Sequence, residues 1–391
     1  MKKMFVILIV LTLILASLAT SSQAADNNET NLELSKRLVA EAVESIKMLC
    51  GQSPFQTLNR DIPTRPDNLD QLSEMQTAYY YDHEYAGEHV EKINPAVSPG
   101  DGCNGKRVIM IQQGDHASLT AYNEMLTTCL NAMGMDVRIQ SPNWDINIQN
   151  QLIDQAINAQ PDAIILCAID AVASIQQFRK INQAGIPVFA TITPPDNEAF
   201  AYMTSYAGLE DYSAHGQLAM MIGELSGGEG GIVYMSHVPG NSAYISRYQF
   251  IQAVLAENFP NIKTLQGLTP DFDAAVSKQI ISDLLNRFRD ELKIIMAADG
   301  STHAIGAIEA LQEAGRDDVL VFATGNCQVS GENIKAGYQA AETFQSLDLC
   351  AGVTAKIVAD FFNGEEMKPV NAVYQTIITK ENIDEFLPSS W

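Results

Sequence analysis

From Arg107 onward, short apolar runs alternate with segments whose apolar residues recur at helical spacing. The runs are rich in β-branched residues, as expected for buried strands: RVIMIQ, DVRIQS, AIILCA, PVFATI, GIVYMS, IKTLQG, LKIIMAA and VLVFAT. The segments between them predict amphipathic helices, for example SLTAYNEMLTTCLNAMG and STHAIGAIEALQEAG. Strict alternation of strand and helix predicts right-handed βαβ units and parallel sheets.

The predicted strands fall into two groups of four. The stretch TPPDNEAFAYMTSYAGLEDYSAHG separates the groups and is predicted to be a loop. We therefore predict an α/β protein with two doubly wound parallel-sheet lobes rather than one large sheet. In open α/β sheets the ligand binds beyond the carboxyl ends of the strands, so two such lobes predict a site where those ends face each other.

Residues 1–24 have the order of a secretory signal peptide: two lysines, a long apolar run, and small residues ending in Ser-Gln-Ala. Cleavage after Ala24 would export the chain to the periplasm. A membrane anchor is the alternative, although the apolar run from Met4 to Ala19 is short for one.

Residues 25–103 are predicted to form an N-terminal extension. LELSKRLVAEAVESIKML has the spacing of an amphipathic helix, and stretches rich in Pro and Asn, in Tyr, and in turn residues follow it. We interpret the extension as wrapped onto the fold or as a partner surface.

The formal net charge is -23, so the chain has no electrostatic footprint for nucleic acid or anionic lipid. Disulfides can persist in an exported chain, and the predicted pairs are Cys50 with Cys103 and Cys327 with Cys350. Cys129 and Cys167 are interpreted as small buried thiols. Because no CxxC pair occurs, the sequence gives no support for a zinc or redox site, and we expect neither metal nor cofactor.

Two motif-like stretches do not indicate chemistry. GDGCNGKR, at 100–107, precedes the first strand and ends in Arg, whereas a phosphate-binding loop follows a strand and ends in Ser or Thr. HEYAGEH, at 83–89, lacks the histidine spacing of a zinc protease, and no GxSxG elbow occurs. The sequence therefore predicts a binding protein rather than an enzyme.

Five phrases in fixed order resemble the type I periplasmic binding proteins of the ribose-binding and LacI-like superfamily, over residues 106 to about 385. They are QPDAIILCAIDA, INQAGIPVFAT, PDFD, ADGSTHAIGAIEALQEAGRDDVLVFATG and IKAGYQAAETFQS. The resemblance implies a three-segment hinge, with crossings near Ala207, Gln345 and Val370. Lobe 1 would then comprise residues 104–207 and 347–370, and lobe 2 would comprise residues 208–345 and 371–391.

The resemblance implies part of the ligand site. It places an aromatic ligand contact at Phe272, polar contacts at Gln345, Asp299, Asn326, Asp115 and His116, and an arginine about one residue from Arg247. Where many sugar binders have Asn-Pro-Phe-Phe after the first strand, Ala117, Ser118 and Leu119 follow His116, and Ile192 and Thr193 replace an Asp-Arg pair.

Residues near the predicted strand ends add further candidates. Gln113 and Thr191 supply neutral polar groups, and Tyr244 is an aromatic candidate. Trp144 either covers a ligand ring or packs at the rim. The predicted ligand-binding residues are Gln113, Asp115, His116, Trp144, Thr191, Tyr244, Arg247, Phe272, Asp299, Asn326 and Gln345.

The predicted function is capture of a small polar ligand, a sugar or sugar-like molecule, by hinge closure, and delivery of that ligand to an ABC permease. We expect a monomer with no nucleic-acid partner. The alternative is a periplasmic sensor that presents a sugar or an autoinducer-2-like signal to a membrane sensor kinase or chemoreceptor. The long extension is similar to that of the autoinducer-2 binding relatives.

Overall fold

The structure is a computed structural model that describes residues 29–389 except for 51–67, 69–70, 74–76, 78 and 81–86, and only the backbone of 47–50. The predicted signal peptide and the Cys50 side chain lie outside the described residues. The described chain divides into two compact units. Lobe 1 comprises 29–50, 87–209 and 346–373, and lobe 2 comprises 210–345 and 374–389 together with the described residues between 68 and 80.

The helices and strands follow one another along the chain in the alternation that the sequence predicts. In order, they are α1 Asn31–Cys50, β1 Arg107–Ile111, α2 Ala117–Ala132, β2 Asp136–Gln140, α3 Ile146–Ala159, β3 Ala163–Leu166, α4 Ala171–Gln183, β4 Val188–Ile192, β5 Ser205–Glu210, α5 Asp211–Leu225, β6 Glu229–Met235, a short α turn Ser242–Tyr244, a π-helical turn Ile245–Gln249, α6 Phe250–Asn258, β7 Asn261–Leu268, α7 Ala274–Phe288, β8 Leu292–Ala297, α8 His303–Ala314, β9 Leu320–Gly325, α9 Gln328–Ala336, β10 Ala341–Phe344, α10 Leu347–Phe362, β11 Val370–Tyr374 and β12 Ile377–Thr379. Short 3-10 turns lie at Asn197–Ala201, Arg289–Glu291 and Ile383–Glu385.

Each sheet of the described chain has six strands, in the orders β11-β5-β4-β3-β1-β2 and β12-β10-β9-β8-β6-β7. The eight predicted strands are all present, and the neighbours among them pair in parallel. The predicted loop between the two groups is wrong in part, because it contains β5. That strand is fully buried but carries a glycine and no β-branched run, so its sequence gave no strand pattern. The sequence also missed β10, β11 and β12, and β12 pairs antiparallel with β10.

Both faces of each sheet are covered by helices, as the side-chain alternation along single strands shows. On β1, Val108 and Met110 join one hydrophobic cluster of lobe 1, and Ile109 and Ile111 join the other. The central strand of lobe 2, β8, divides its side chains in the same way between two clusters. This two-sided burial is what makes the strands read as continuous apolar runs.

Aspartate caps begin three of the helices that follow strands. Asp145, Asp170 and Asp273 accept hydrogen bonds from backbone amides in the first turns of α3, α4 and α7. Because these helices follow strands, their amino termini lie at the carboxyl edge of each sheet, which is the edge where ligands bind in this architecture.

The N-terminal helix is part of lobe 1. Val39, Ala42 and Ile46 of α1 are buried in the same cluster as α2 and α10. Ser35 is fully buried, and its hydroxyl donates to Asn363 Oδ1 at 2.5 Å. The predicted extension therefore packs on the fold through α1.

The predicted cysteine pairs are wrong. Cys103, Cys327 and Cys350 are buried and form no disulfide among the described residues, and Cys103 Sγ lies 2.6 Å from Ser35 Oγ. Cys129 and Cys167 are small buried thiols outside any disulfide of the described residues, as predicted. Among the residues described by the structure, no helix combines the length and apolar character needed to cross a membrane.

We predict that a charge on the inner face of α1 destabilises lobe 1. Ala42→Asp places a carboxylate in an apolar cluster and should lower the free energy of unfolding by about 2–4 kcal/mol. Ala40→Asp changes the same residue type at an exposed position of the same helix and should cost less than about 0.5 kcal/mol. Thermal unfolding followed by circular dichroism compares the two variants, and equal losses would show that α1 does not pack on lobe 1.

Candidate functional site

The carboxyl edge of the lobe 1 sheet carries four of the five residues predicted for that lobe. Gln113 and Asp115 lie in the loop between β1 and α2, where Gln113 O accepts a hydrogen bond from Trp144 N at 2.9 Å. Asp115 is exposed, and its Oδ1 accepts from Ser141 Oγ at 2.6 Å. His116 is the N-cap of α2 and accepts from Ser118 N through Nδ1 at 3.3 Å.

Trp144 lies directly against the loop after β1. A Cβ on Gly114 would clash with the indole ring, so only glycine permits this approach. The indole Nε1 donates to Asp115 O at 3.4 Å, and the Trp144 backbone has a φ of 66°. The half-buried indole therefore lines the loop that presents Gln113 and Asp115.

Thr191 does not join this group. It is fully buried, and its hydroxyl lies 2.7 Å from Tyr122 Oη and 2.9 Å from Thr354 Oγ1. These three hydroxyls bond β4 to α2 and α10 inside the lobe. Thr191 was predicted as a ligand contact because it lies near the end of β4. Side chains alternate between the two faces of a strand, and the Thr191 side chain points into the lobe.

A buried amide network missed by the sequence predictions supports the lobe 1 edge. Gln149 of α3 donates through Nε2 to Gln112 O at 3.1 Å and to Cys167 O at 2.9 Å, and its Oε1 accepts from Ile169 N at 3.3 Å. One side chain thus satisfies backbone groups at the ends of β1 and β3. The sequence signal that could have identified Gln149 was a glutamine on the inner face of an amphipathic helix.

In lobe 2 the central feature is a nearly buried ion pair. Arg247 Nε donates to Asp211 Oδ2 at 2.9 Å, and the two side chains are 9 % and 4 % exposed. With its amide oxygen facing the guanidinium, Gln345 accepts from Nη1 at 2.9 Å and from Nη2 at 2.5 Å. Burial alone would raise the pKa of Asp211, but the charge of Arg247 outweighs it and holds the pKa below its usual value. Arg247 and Gln345 were predicted, and Asp211 was missed.

Phe272 lies between two histidines. Its ring centroid is 5.1 Å from that of His237 and 4.8 Å from that of His303. His237 Nε2 also lies 3.4 Å from Arg247 Nη1. Burial, followed by the charge of Arg247, lowers the pKa of His237 to about 3, so this imidazole is neutral at ordinary pH. A neutral, half-buried aromatic surface therefore adjoins the guanidinium.

The carboxylate of Asp299 is hydrogen-bonded within its own loop. Its carboxylate accepts hydrogen bonds from the backbone amides and hydroxyls of Ser301 and Thr302, at 2.6 to 2.8 Å. His303 Nδ1 lies 3.1 Å from Oδ2. Burial opposes ionisation, but the His303 contact and the hydroxyl hydrogen bonds lower the pKa of Asp299 well below its usual value. The structure therefore gives Asp299 the role of fixing the loop after β8.

The remaining two predicted residues differ in position. Asn326 follows β9 with a φ of 121°, and its Oδ1 is buried without a hydrogen bond from any described residue. Tyr244 packs 5.1 Å from Tyr248, which in turn lies 4.9 Å from Tyr234, so it belongs to a row of tyrosines. Asn326 is a candidate acceptor at the carboxyl edge, whereas Tyr244 supports the helix beside it.

A buried carboxylate that the sequence predictions missed lies beside the Asp299 loop. Glu342 of β10 is fully buried, accepts hydrogen bonds from Ser330 Oγ and from Gln339 Nε2, and has its Oε1 without a partner among the described residues. Burial raises its pKa to about 7. A Cβ on Gly300 would clash with both Glu342 and Ser330, so this group packs tightly under the loop.

Each lobe thus presents neutral amides, hydroxyls and an aromatic ring at the carboxyl edge of its sheet. Within the described chain, no group of His, Cys, Asp and Glu side chains is placed to hold a metal ion. Two α/β lobes with such groups at the carboxyl edges of their sheets define the class of two-lobed solute-binding proteins.

Comparison with known proteins identifies the family. A sequence profile of the periplasmic binding protein domain matches residues 107–366. The chain belongs to this family. The xylitol-binding protein of Mycolicibacterium smegmatis is 28% identical over 274 residues, which cover 68% of this chain and 75% of the relative. The D-apiose import binding protein of Paraburkholderia graminis is 30% identical over 220 residues, covering 54% and 67%. These relatives are binding proteins, and the chain is a binding protein rather than an enzyme.

Solved structures show the same fold. An ABC transporter solute-binding protein from Bacillus halodurans, crystallised with myo-inositol, superposes with a TM-score of 0.67 at 21% identity, covering 73% of this chain and 98% of that protein. One from Actinobacillus succinogenes, crystallised with D-allose, gives 0.65 at 20% identity, covering 72% and 99%. The two-lobe α/β fold and the predicted resemblance are confirmed.

We predict that Glu342 makes stability depend on pH. Because its pKa is raised from 4.5 to about 7, the folded protein binds more protons than the unfolded chain between these values. The contribution of Glu342 to the free energy of unfolding should therefore be fully present below pH 4.5 and should be lost as the pH rises through about 7. Glu342→Gln removes the ionisation and should be more stable than the parent at pH 8, by on the order of 1–3 kcal/mol.

Urea unfolding at pH 5 and pH 8 measures this difference. Glu332→Gln, at an exposed position of α9, is the matched control and should keep the parent's pH dependence. If Glu342→Gln loses as much stability between the two pH values as the parent does, Glu342 is not the titrating group.

Proposed function

We propose that this protein captures a small, neutral, polyhydroxylated ligand, a sugar or polyol, and delivers it to an ABC permease. The ligand binds to the carboxyl edges of the two sheets and favours a closed arrangement of the lobes by contacting both. The coupling of closure to delivery follows from the class of protein to which the chain belongs.

The observation that carries the proposal is the combination of a paired guanidinium with an aromatic ring in lobe 2. Phe272 adjoins His237, which contacts Arg247, and the guanidinium is shared between Asp211 and Gln345. A sugar or polyol has an apolar C–H surface for the aromatic ring and vicinal hydroxyls for planar hydrogen-bonding groups. The same side chains offer little to a purely apolar molecule.

Charge favours a neutral ligand. Asp211 already offsets the positive charge of Arg247, and Asp299 adds a negative charge that is held by its own loop. His237 is neutral at ordinary pH because its pKa is about 3. An anionic ligand would therefore meet a group with no uncompensated positive charge, and it would lose its hydration on binding without an opposite charge in return.

Lobe 1 contributes neutral and acidic acceptors beside a second aromatic ring. Trp144 packs on the loop that carries Gln113 and Asp115, and the side chain of Asp115 is exposed. We assign Gln113, Asp115, His116 and Trp144 to the lobe 1 half of the site. In lobe 2 we assign Arg247, Phe272, Asn326 and Gln345 to direct contact, and Asp299 to support.

The ligands of the relatives support a polyol or sugar. Xylitol and D-apiose, named for two relatives, and myo-inositol and D-allose, bound in two structural neighbours, are neutral polyhydroxylated molecules. They include linear, furanose-forming and cyclic compounds. The shared chemistry supports the class of ligand.

We propose that residues 1–24 export the chain to the periplasm. The order of lysines, apolar run and small residues supports cleavage after Ala24. Mass spectrometry of the protein from a periplasmic extract should show a chain that begins at Ala25. A membrane-bound chain that retains Met1 would contradict this.

A thermal-shift screen tests the function. Xylitol, myo-inositol, D-ribose and D-allose should be compared with D-glucuronate and ribose 5-phosphate. We expect a neutral compound to raise the unfolding temperature, since a ligand at about 100 times its Kd adds about 2.7 kcal/mol to stability. The anionic compounds should give no shift, and a response confined to them would contradict the proposal.

Phe272→Ala should weaken binding of the responding compound by on the order of tenfold or more, because the ring supplies the apolar contact surface. Tyr338→Ala is the control: Tyr338 is 54% exposed and precedes β10, at the opposite end of that strand from Gln345. Isothermal titration calorimetry gives both dissociation constants. Equal affinities of the two variants would remove Phe272 from the site.

A further inference from the structure

The chain passes between the lobes at three points within the part that carries the two sheets. The division falls between Leu209 and Glu210, between Gln345 and Ser346, and between Val373 and Tyr374. Beside each point, on the lobe 2 side, lies a polar residue: Asp211, Gln345 or Gln375. Each is the first or second residue of lobe 2 counted from the crossing.

Two of these residues bond to one guanidinium, and the third bonds to the carboxylate that pairs with it. Arg247 bonds to Asp211 at 2.9 Å and to Gln345 at 2.5 Å and 2.9 Å. Gln375 Nε2 donates to Asp211 Oδ1 at 2.5 Å. We call these four residues the Arg247 cluster. It gathers the lobe 2 ends of all three crossings.

The Arg247 cluster keeps the Arg247–Asp211 ion pair away from water. As whole residues, Asp211, Gln375 and Arg247 are 3%, 5% and 9% exposed. Asp211 also accepts from Ser246 Oγ at 3.2 Å, so its carboxylate receives hydrogen bonds from three residues. Gln375 Oε1 is buried and has no hydrogen-bond partner among the described residues. An acceptor left without a donor in a buried polar group is a position that a ligand hydroxyl or a bound water would satisfy.

The backbone at Arg247 is unusual in the same place. Ile245–Gln249 forms a π-helical turn between two α-helical pieces, and such turns occur mainly as single insertions at functional sites. A turn closed by i to i+5 hydrogen bonds holds one more residue than an α turn.

We propose that Asp211 and Gln375 are positioning residues that orient Arg247 toward the ligand and restrict the site to neutral ligands. The inference rests on the proposed function. Asp211 offsets the guanidinium charge, and Gln375 fixes the carboxylate. A ligand oxygen that reaches Arg247 shares the Nη donors of Arg247 with Gln345. Ligand binding therefore involves the Arg247 cluster, which joins the lobe 2 ends of all three crossings.

The first test removes the Gln375 contact without changing side-chain size. Gln375→Met should weaken xylitol binding by on the order of tenfold, the loss expected for a hydrogen bond to a charged group. Gln339→Met is the matched control, because Gln339 is also a buried lobe 2 glutamine but bonds to Glu342 and Ser330. Unchanged binding in Gln375→Met, or an equal loss in Gln339→Met, overturns the inference.

The second test changes specificity. Asp211→Asn leaves the Arg247 charge uncompensated and should increase the affinity for D-glucuronate relative to xylitol by on the order of tenfold. A purely structural role would weaken both ligands together, and that result overturns the proposed role of Asp211. Should Asp211→Asn fail to fold, the Gln375→Met measurements still decide the positioning role.

A ligand-free readout separates this inference from the proposed function. In protein labelled with 15N-arginine, the Arg247 Nε–H should exchange slowly with water in the parent and in Gln339→Met, and faster in Gln375→Met. A parent protein that binds no polyol would contradict the proposed function, yet this exchange comparison would still support or overturn the positioning of Arg247. Equal exchange in the parent and in Gln375→Met overturns it.

Discussion

A guanidinium that is nine-tenths buried must have its charge and its donors satisfied inside the protein, and lobe 2 is arranged around that requirement. Asp211 supplies the opposite charge, Gln345 accepts from two nitrogens, and Gln375 fixes the carboxylate. Because these partners come from separate stretches of the chain, the ion pair also determines where those stretches meet. The ion pair thus explains the local geometry of lobe 2, and it is the basis of the proposed preference for uncharged ligands.

The sheets place these groups by a second constraint. Each sheet is buried on both faces, so its central strands are mainly apolar, and a polar side chain within a strand, such as Thr191, must find its hydrogen bonds inside the lobe. The loops at the carboxyl ends then carry aspartate caps, amides and aromatic rings together. Gln149 in lobe 1 and Asp299 in lobe 2 use several hydrogen bonds each to hold such a loop in one conformation.

The repeating strands and helices could be predicted from the sequence because strands that are buried on both faces consist of continuous apolar runs. The sequence pattern missed β5, which is buried but lacks β-branched residues, and β12, which has only three residues. Among the proposed site residues, Phe272 and Arg247 could be predicted from position and resemblance. Asp211 and Gln375 could not, since they become neighbours only when the crossings fold together, and the Cys327–Cys350 pair failed because sequence distance says nothing about spatial distance.

Helix α1 has a practical consequence for anyone who reuses this protein. The region shared with the family begins at residue 107, whereas Val39, Ala42 and Ile46 complete the apolar core of lobe 1 from outside it. Trimming the chain to the shared region, as is common when a fluorescent biosensor is assembled, would uncover that apolar surface and favour aggregation. A reporter domain is therefore better joined ahead of α1 than in its place.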